Sequence, residues 1–204
     1  MTVEEHSWRL EEIDCSGNQR TGTMKMVQTC REFTSSSAGI LTIYGSCGNA
    51  KSHALCGLVN AMLEGGCEAV YVLAFDLINY IRQAYSKDDN GVMDEDAYSR
   101  LKKFAGVRFL AVDELDKVFP ISYWEGKQLT QFFDVRYRFG LDEQRKTVIA
   151  MNRDPFVLLE EQYHILSRLK DGRNLIISNM DEDMRPAMKS YDPVDNFDPK
   201  DWTH

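Results

Sequence analysis

Short apolar runs alternate with longer amphipathic stretches along most of this chain. Residues 41–44, 69–74, 107–112, 147–151 and 175–178 are rich in Val, Ile, Leu, Phe and Tyr and show little polar alternation. Runs of that length and composition predict strands buried on both faces. Between them, apolar side chains recur every three or four positions. Met26, Val27, Cys30 and Phe33 predict a helix over 24–33, and Ala54, Leu55, Leu58, Val59 and Met62 predict one over 52–63, ended by Gly65 and Gly66. Asp76 reads as the N-cap of a helix that turns Leu77, Ile78, Ile81 and Tyr85 inward. Further helices are expected over 97–104, over 123–139 with Phe132, Phe133 and Tyr137 inward, and from Pro155 to Lys170, stopped by Asp171 and Gly172. Strands alternating with helices imply an α/β fold, with one parallel sheet wrapped on both faces.

The ends of the chain break this rhythm. Residues 1–23 are polar and hold Gly17, Asn18 and Gly22, so they predict an arm with one short element over 8–13, packed down through Trp8 and Ile13. Residues 86–96 read as an acidic surface loop and 191–204 as an acidic tail, disordered or draped on the surface, which leaves 24–190 as the folded domain. With 204 residues and 43% hydrophobic content, the chain can bury one substantial core. A formal net charge of -8 excludes a protein that coats nucleic acid over its whole surface and restricts any such contact to a focal patch. Five cysteines, at 15, 30, 47, 56 and 67, lack the spacings of a zinc site or a disulfide framework. The first residues do not have the order of a signal peptide, and no apolar run reaches the length of a membrane span. The expectation is a reduced, cytoplasmic protein with no membrane contact.

The first strand runs into Gly45, Ser46, Cys47, Gly48, Asn49, Ala50, Lys51, Ser52 and His53. The spacing is that of G-x-x-x-x-G-K-[ST], with Ala50 in place of the second glycine. In such a loop, backbone N–H groups converge on phosphate oxygens at the start of a helix, Lys51 reaches the outer phosphates and Ser52 holds Mg²⁺. Alanine costs about 1–2 kcal/mol if position 50 must be left-handed, and its methyl group crowds the phosphates. Alone, the altered loop reads equally well as a glycine-rich turn.

The third strand shifts that balance, because it ends in Asp113-Glu114. Strands of a parallel sheet open their carboxyl ends onto one crevice, which carries this acidic pair toward the loop. Asp113 is then a second Mg²⁺ ligand, and Glu114 orients or deprotonates an attacking water. Asn152 ends the fourth strand, where it is either a turn residue or a hydrogen-bonding partner of the γ-phosphate or the water. Arg168 is either a snorkelling surface residue or an arginine finger that completes the site of a neighbouring subunit. Arg185 either pairs with the preceding acids or senses the phosphates of its own site.

In order along the chain, residues 41–45, Lys51-Ser52-His53, Phe75-Asp76-Leu77, Ile81-Arg82, Asp113-Glu114-Leu115, Arg136-Tyr137, Asn152, Ser167-Arg168-Leu169 and Asp183-Met184-Arg185 resemble the motifs of the DnaC/IstB-type AAA+ ATPases. The resemblance spans residues 25–188. It implies a P-loop AAA+ core, with a five-stranded parallel sheet between helices and little or no C-terminal lid. It also implies ATP and Mg²⁺ as ligands: Lys51 and Ser52 as the Walker A pair, Asp113 and Glu114 as Walker B, Asn152 as sensor 1, Arg168 as the finger and Arg185 as a sensor 2-like arginine. The implied partners are a replicative helicase or a transposase, single-stranded DNA through a focal contact, and further copies of the chain through Arg168. Candidate DNA contacts are Arg82, Lys102, Lys103, Arg136 and Arg138, with Tyr80, Tyr85 and Tyr137 for base stacking. Three features depart from the family. Ala50 stands in Walker A, only a short arm precedes the core, and Asp-Glu replaces the loaders' common Asp-Asp. The first departure supports an alternative expectation, a nucleotide-binding adaptor with weakened hydrolysis.

Overall fold

The computed structural model describes residues 7–16, 20–83, 97–142 and 145–185. All five expected strands form: β1 (Ile40–Gly45), β2 (Ala69–Leu73), β3 (Phe109–Asp113), β4 (Lys146–Met151) and β5 (Leu175–Asn179). They pair in parallel in the order β2-β3-β4-β1-β5. Strand β3 shows why these runs are continuously apolar. Phe109 and Ala111 join Leu41, Ile43, Val148 and Ala150 in the core on one face, whereas Leu110 and Val112 join Ile40, Ile149 and Met151 on the other. With side chains alternating and both faces covered, a polar residue at either parity would be buried.

The helices are α1 (Thr21–Ser35), α2 (Lys51–Glu64), α3 (Ala74–Gln83), α4 (Ala97–Gly106), α5 (Tyr123–Asp142), α6 (Pro155–Leu158) and α7 (Tyr163–Leu169). Helices α1 and α2 cover the first face, and α3, α5 and α7 cover the second. Phe132 and Phe133 of α5 are fully buried, so truncating either to Ala should cost about 3–5 kcal/mol. Tyr137, expected inward with them, is only partly buried.

Three boundaries differ from the sequence expectation, each through tertiary contacts. Helix α1 begins at Thr21, inside the predicted arm, because the Asp181 carboxylate accepts the N–H groups of Gly22 and Thr23 at 3.1 and 2.6 Å. Helix α3 starts at Ala74, so Asp76 lies in the first turn, where its charge suits the helix dipole, and is not the N-cap. The single helix expected from Pro155 to Lys170 is broken into α6 and α7. Asp154 caps α6 by accepting the Phe156 N–H at 2.8 Å, and the break lets Leu158, Leu159, Ile165, Leu166 and Leu169 all reach one core. The predicted loop over 86–96, Tyr85 and the tail over 191–204 lie outside the described residues.

The arm packs where expected. A 3₁₀ turn at Leu10–Glu12 buries Leu10 and, just after it, Ile13 against α1 and α2. Gly57 permits this approach, since a Cβ there would stand 2.9 Å from the Leu10 backbone nitrogen. The Trp8 carbonyl accepts the Asn60 amide at 2.9 Å, the Arg9 carbonyl meets His53 Nε2 at 3.0 Å, and the Trp8 ring stacks on His53 with centroids 4.8 Å apart.

Candidate functional site

Strands β3, β4 and β1 lie side by side, so their carboxyl ends bring Asp113, Asn152 and the glycine loop to one edge. Strand β4 lies between β3 and β1, and Asn152 at its end therefore stands between the loop and the acidic pair. A cleft of about 600 Å³ opens there, with Lys51, Ser52, Asp113, Glu114 and Asn152 in its wall. Cys47, Gly48, Ala50 and Arg185 also line it, and Trp8, Ile13 and His53 close it from the side of the arm.

The loop's glycines are there for close approach. Gly45 has φ 140°, and a Cβ would lie 1.9 Å from the Asn179 carbonyl oxygen; at Gly48, with φ 73°, it would lie 1.7 Å from Asp183 Oδ1. Ala50 adopts φ 64°, ψ 18°, the left-handed conformation that carries the cost expected for alanine. The loop holds this shape through Asn49, which is buried and donates to the Asn179 carbonyl while Asn179 donates back to the Asn49 carbonyl at 3.0 Å. The Ser46 N–H also donates to the Asn179 carbonyl, at 3.1 Å. Gly45, Ser46 and Asn49 thus shape the loop, while Cys47 and the residues from Gly48 onward, Asn49 excepted, face the cleft.

Lys51 is 7% exposed, and its ammonium donates to the carbonyls of Gly45 and Ser46 and to Asn49 Oδ1. Burial depresses its pKa, against the pull of Cys47, Asp113 and Asp116. Asp113 accepts hydrogen bonds from Tyr71 Oη at 2.8 Å and from the Glu114 N–H at 2.7 Å, and the Ser52 hydroxyl stands near enough to favour its charged form. Burial nevertheless raises its pKa above the usual carboxylate range. A carboxylate held in that state gains from a cation brought beside it. The Ser52 hydroxyl on one side and the Asp113 carboxylate on the other therefore fit a Mg²⁺ ion accompanying a phosphate group.

Glu114 is left-handed, at φ 56°, and opens a 3₁₀ turn at Leu115–Val118; its carboxylate accepts from Lys117 Nζ at 2.6 Å. Asp116 of that turn accepts the Asn152 N–H at 3.0 Å, which ties the end of β4 to the acidic segment. Arg185 is exposed and pairs with Asp183, whose carboxyl it holds down to about 2. Arg168 lies away from the cleft of its own chain. It donates to Asp134 at 2.7 Å, and its guanidinium sits 5.1 Å from the Tyr137 ring centroid.

Among the candidate DNA contacts, Arg136 is overturned. It is 0% exposed, at the opposite end of the sheet, donating to Thr147 Oγ1 at 2.8 Å and to the carbonyls of Ala105, Val107 and Lys146. Burial pushes its pKa down to about 9. Arg82 is exposed but pairs with Glu125, and Lys102, Lys103 and Arg138 are exposed. The Tyr80 ring packs edge-on against Phe104, 5.3 Å away, and the Tyr137 hydroxyl is bonded to Asp171 at 2.9 Å.

Periodicity did not point to Tyr71, Asn179 or Lys117. Tyr71 pairs in register with Ala111, two residues before Asp113, so the strand pattern placed it on the right face. Lys117 follows Glu114 at the i,i+3 spacing at which side chains meet. Asn179 carried no sequence signal. The described cysteines are all free, and the described residues hold no cluster of His, Cys, Asp and Glu suited to a metal and no helix long and apolar enough to cross a membrane.

The fold recurs in known structures. A crystal structure of the DnaC helicase loader superposes with a TM-score of 0.68 at 18% identity, covering 87% of this chain and 99% of that one. A crystal structure of DnaI gives 0.65 at 19% identity, over 88% of this chain and 95% of that one. AMPPCP-bound DnaA from Aquifex aeolicus gives 0.65 at 16% identity, over 84% of this chain; the chain spans about half, 50%, of that protein. The chain is α/β with the fold of these proteins. No family model matches the sequence, and no curated protein matches it either.

Proposed function

We propose that this chain binds ATP with Mg²⁺ in the cleft, hydrolyses it, and uses the cycle in DNA replication to load or remodel a replicative helicase on single-stranded DNA. The observation that carries the reading is the Ser52–Asp113 pair at the foot of a loop whose buried Lys51 is bonded, among the described residues, only to uncharged oxygens. A cation so placed is matched to an incoming anion, and a raised carboxylate beside a hydroxyl is matched to a divalent cation. Ser52 and Asp113 would hold Mg²⁺, which when bound offsets the charge of the outer phosphates. Lys51 and the backbone from Gly48 to Ser52 bind phosphate, Glu114 takes the proton of the attacking water, and Asn152 orients that water. Arg185 lies in the same cleft to meet phosphate. Arg168, half-buried and away from the cleft of its own chain, serves the cleft of a neighbouring copy.

The helicase enters through likeness to the DnaC helicase loader, matched along 99% of its length, and the DNA through likeness to DnaA bound to AMPPCP and single-stranded DNA. A transposase partner has no comparable support. The test is ATP turnover by the purified chain with and without single-stranded DNA, alongside Glu114→Gln. The variant should keep ATP binding and lose turnover by about 10²–10⁴-fold. Unchanged turnover in the variant would remove Glu114 from the mechanism, and absence of ATP binding by the wild-type chain would sink the whole reading. The adaptor reading keeps one specific support, the left-handed Ala50. Its measurement is the Ala50→Gly turnover: a large rise favours the adaptor, and little change shows that the methyl group is tolerated.

A further inference from the structure

The cleft holds a cation that the motif series does not include. We infer that Lys117 is a second phosphate-facing lysine, which gives up Glu114 for the terminal phosphate and so makes the site distinguish a nucleoside triphosphate from a diphosphate. This inference rests on the reading of the cleft as a nucleotide site.

Two features place Lys117. It lines the same cleft as Lys51, Ser52 and Asp113, on the wall formed by the acidic segment. It also shares that cleft with two other cations, Lys51 and Arg185, and with Cys47 and Gly48 of the loop. Three cations therefore line one cleft, and they reach it from three different segments. Lys51 comes from the base of α2, Arg185 from the residues after β5, and Lys117 from the turn after β3.

Their present partners separate their roles. Lys51 is buried and held by the loop itself. Arg185 is held by Asp183, two residues away. Lys117 is held by Glu114 at 2.6 Å, and that hydrogen bond raises the pKa of its ammonium. The same bond fixes the Glu114 carboxylate through Oε1. With its side chain more than half exposed, at 56%, Lys117 can exchange that partner without disturbing the core. Phosphate oxygens carrying more charge than a carboxylate compete well for an ammonium. A diphosphate ends nearer the loop and leaves Lys117 with Glu114. A triphosphate extends toward the acidic segment, recruits Lys117 and leaves Glu114 available.

The test measures binding, so it does not depend on turnover. The affinities of AMPPCP and of ADP, each with Mg²⁺, are determined by calorimetry for the wild-type chain and for Lys117→Met and Lys117→Arg. Lys117→Met should weaken AMPPCP by about tenfold, the loss of one charge-assisted contact, and leave ADP within about twofold. Lys117→Arg should recover most of the AMPPCP affinity. Retained ADP binding shows that the variant is folded. Equal losses for both nucleotides, or no loss for AMPPCP, would overturn the proposal while leaving the nucleotide site intact. Failure of the wild-type chain to bind either nucleotide would overturn the underlying reading itself.

Discussion

Lys51 and Arg136 are both buried cations held mainly by backbone carbonyls, and they sit at opposite ends of one sheet. Lys51 bonds to Gly45, Ser46 and Asn49, all within six residues of it. Arg136 bonds to oxygens of Ala105, Val107, Lys146 and Thr147, drawn from the end of α4, the approach to β3 and the start of β4. The first set belongs to one loop beside a 600 Å³ cleft. The second set joins elements far apart in the chain, inside a region with no exposure at the arginine. The same kind of charge with the same kind of acceptor thus does two jobs. Partners that are local and next to a cleft can be exchanged for a ligand. Partners that are remote and sealed fix the fold, and their bonds cannot be broken singly without leaving buried acceptors unmatched.

The sharpest way to break this comparison is at Arg136. Arg136→Met should lower stability by about 3–5 kcal/mol in urea unfolding, because the carbonyls it served remain buried without donors. Its folded fraction should bind ATP normally. A variant as stable as the wild type would show that Arg136 does not brace the sheet. Next comes Lys51→Ala, for which ATP affinity should fall roughly 10- to 100-fold, the equivalent of about 1.5–3 kcal/mol of charge-assisted bonding. Thermal unfolding of the ligand-free variant should stay near that of the wild type, since the burial that depresses the lysine's pKa is itself unfavourable. A large drop in stability without change in affinity would make Lys51 a brace like Arg136. The smallest effect is expected for Ala50→Gly. Relief of the left-handed alanine should add about 1 kcal/mol to stability in urea, which sharpens the picture of a loop already set in its binding shape.

Much of this was legible in the chain. The apolar runs marked all five strands, because a parallel sheet covered on both faces leaves no polar parity. The order of glycine loop, acidic strand end and Asn152 marked the cleft, because parallel strands present their carboxyl ends together. Less visible were features decided by residues distant in sequence. Asp181 caps α1 from the other end of the chain, so no local signal placed its start at Thr21. Arg136 read as a possible DNA contact because a cation on an amphipathic helix is ordinarily solvated. Four acceptors converging from separate segments made burial tolerable for it instead.

By itself, the sequence determined the sheet, the sites of its turns and the chemistry gathered at one edge, since period, glycine and strand-end residues act locally. Only the tertiary structure decided how that chemistry is held. It inserted β4 between the loop and the acidic pair, and it locked Asn49 against Asn179. It also laid the arm over α2 through Trp8 and His53 and set Lys117 against Glu114 within the cleft. These are contacts between segments, and their energies depend on burial and geometry that exist only once the chain has folded.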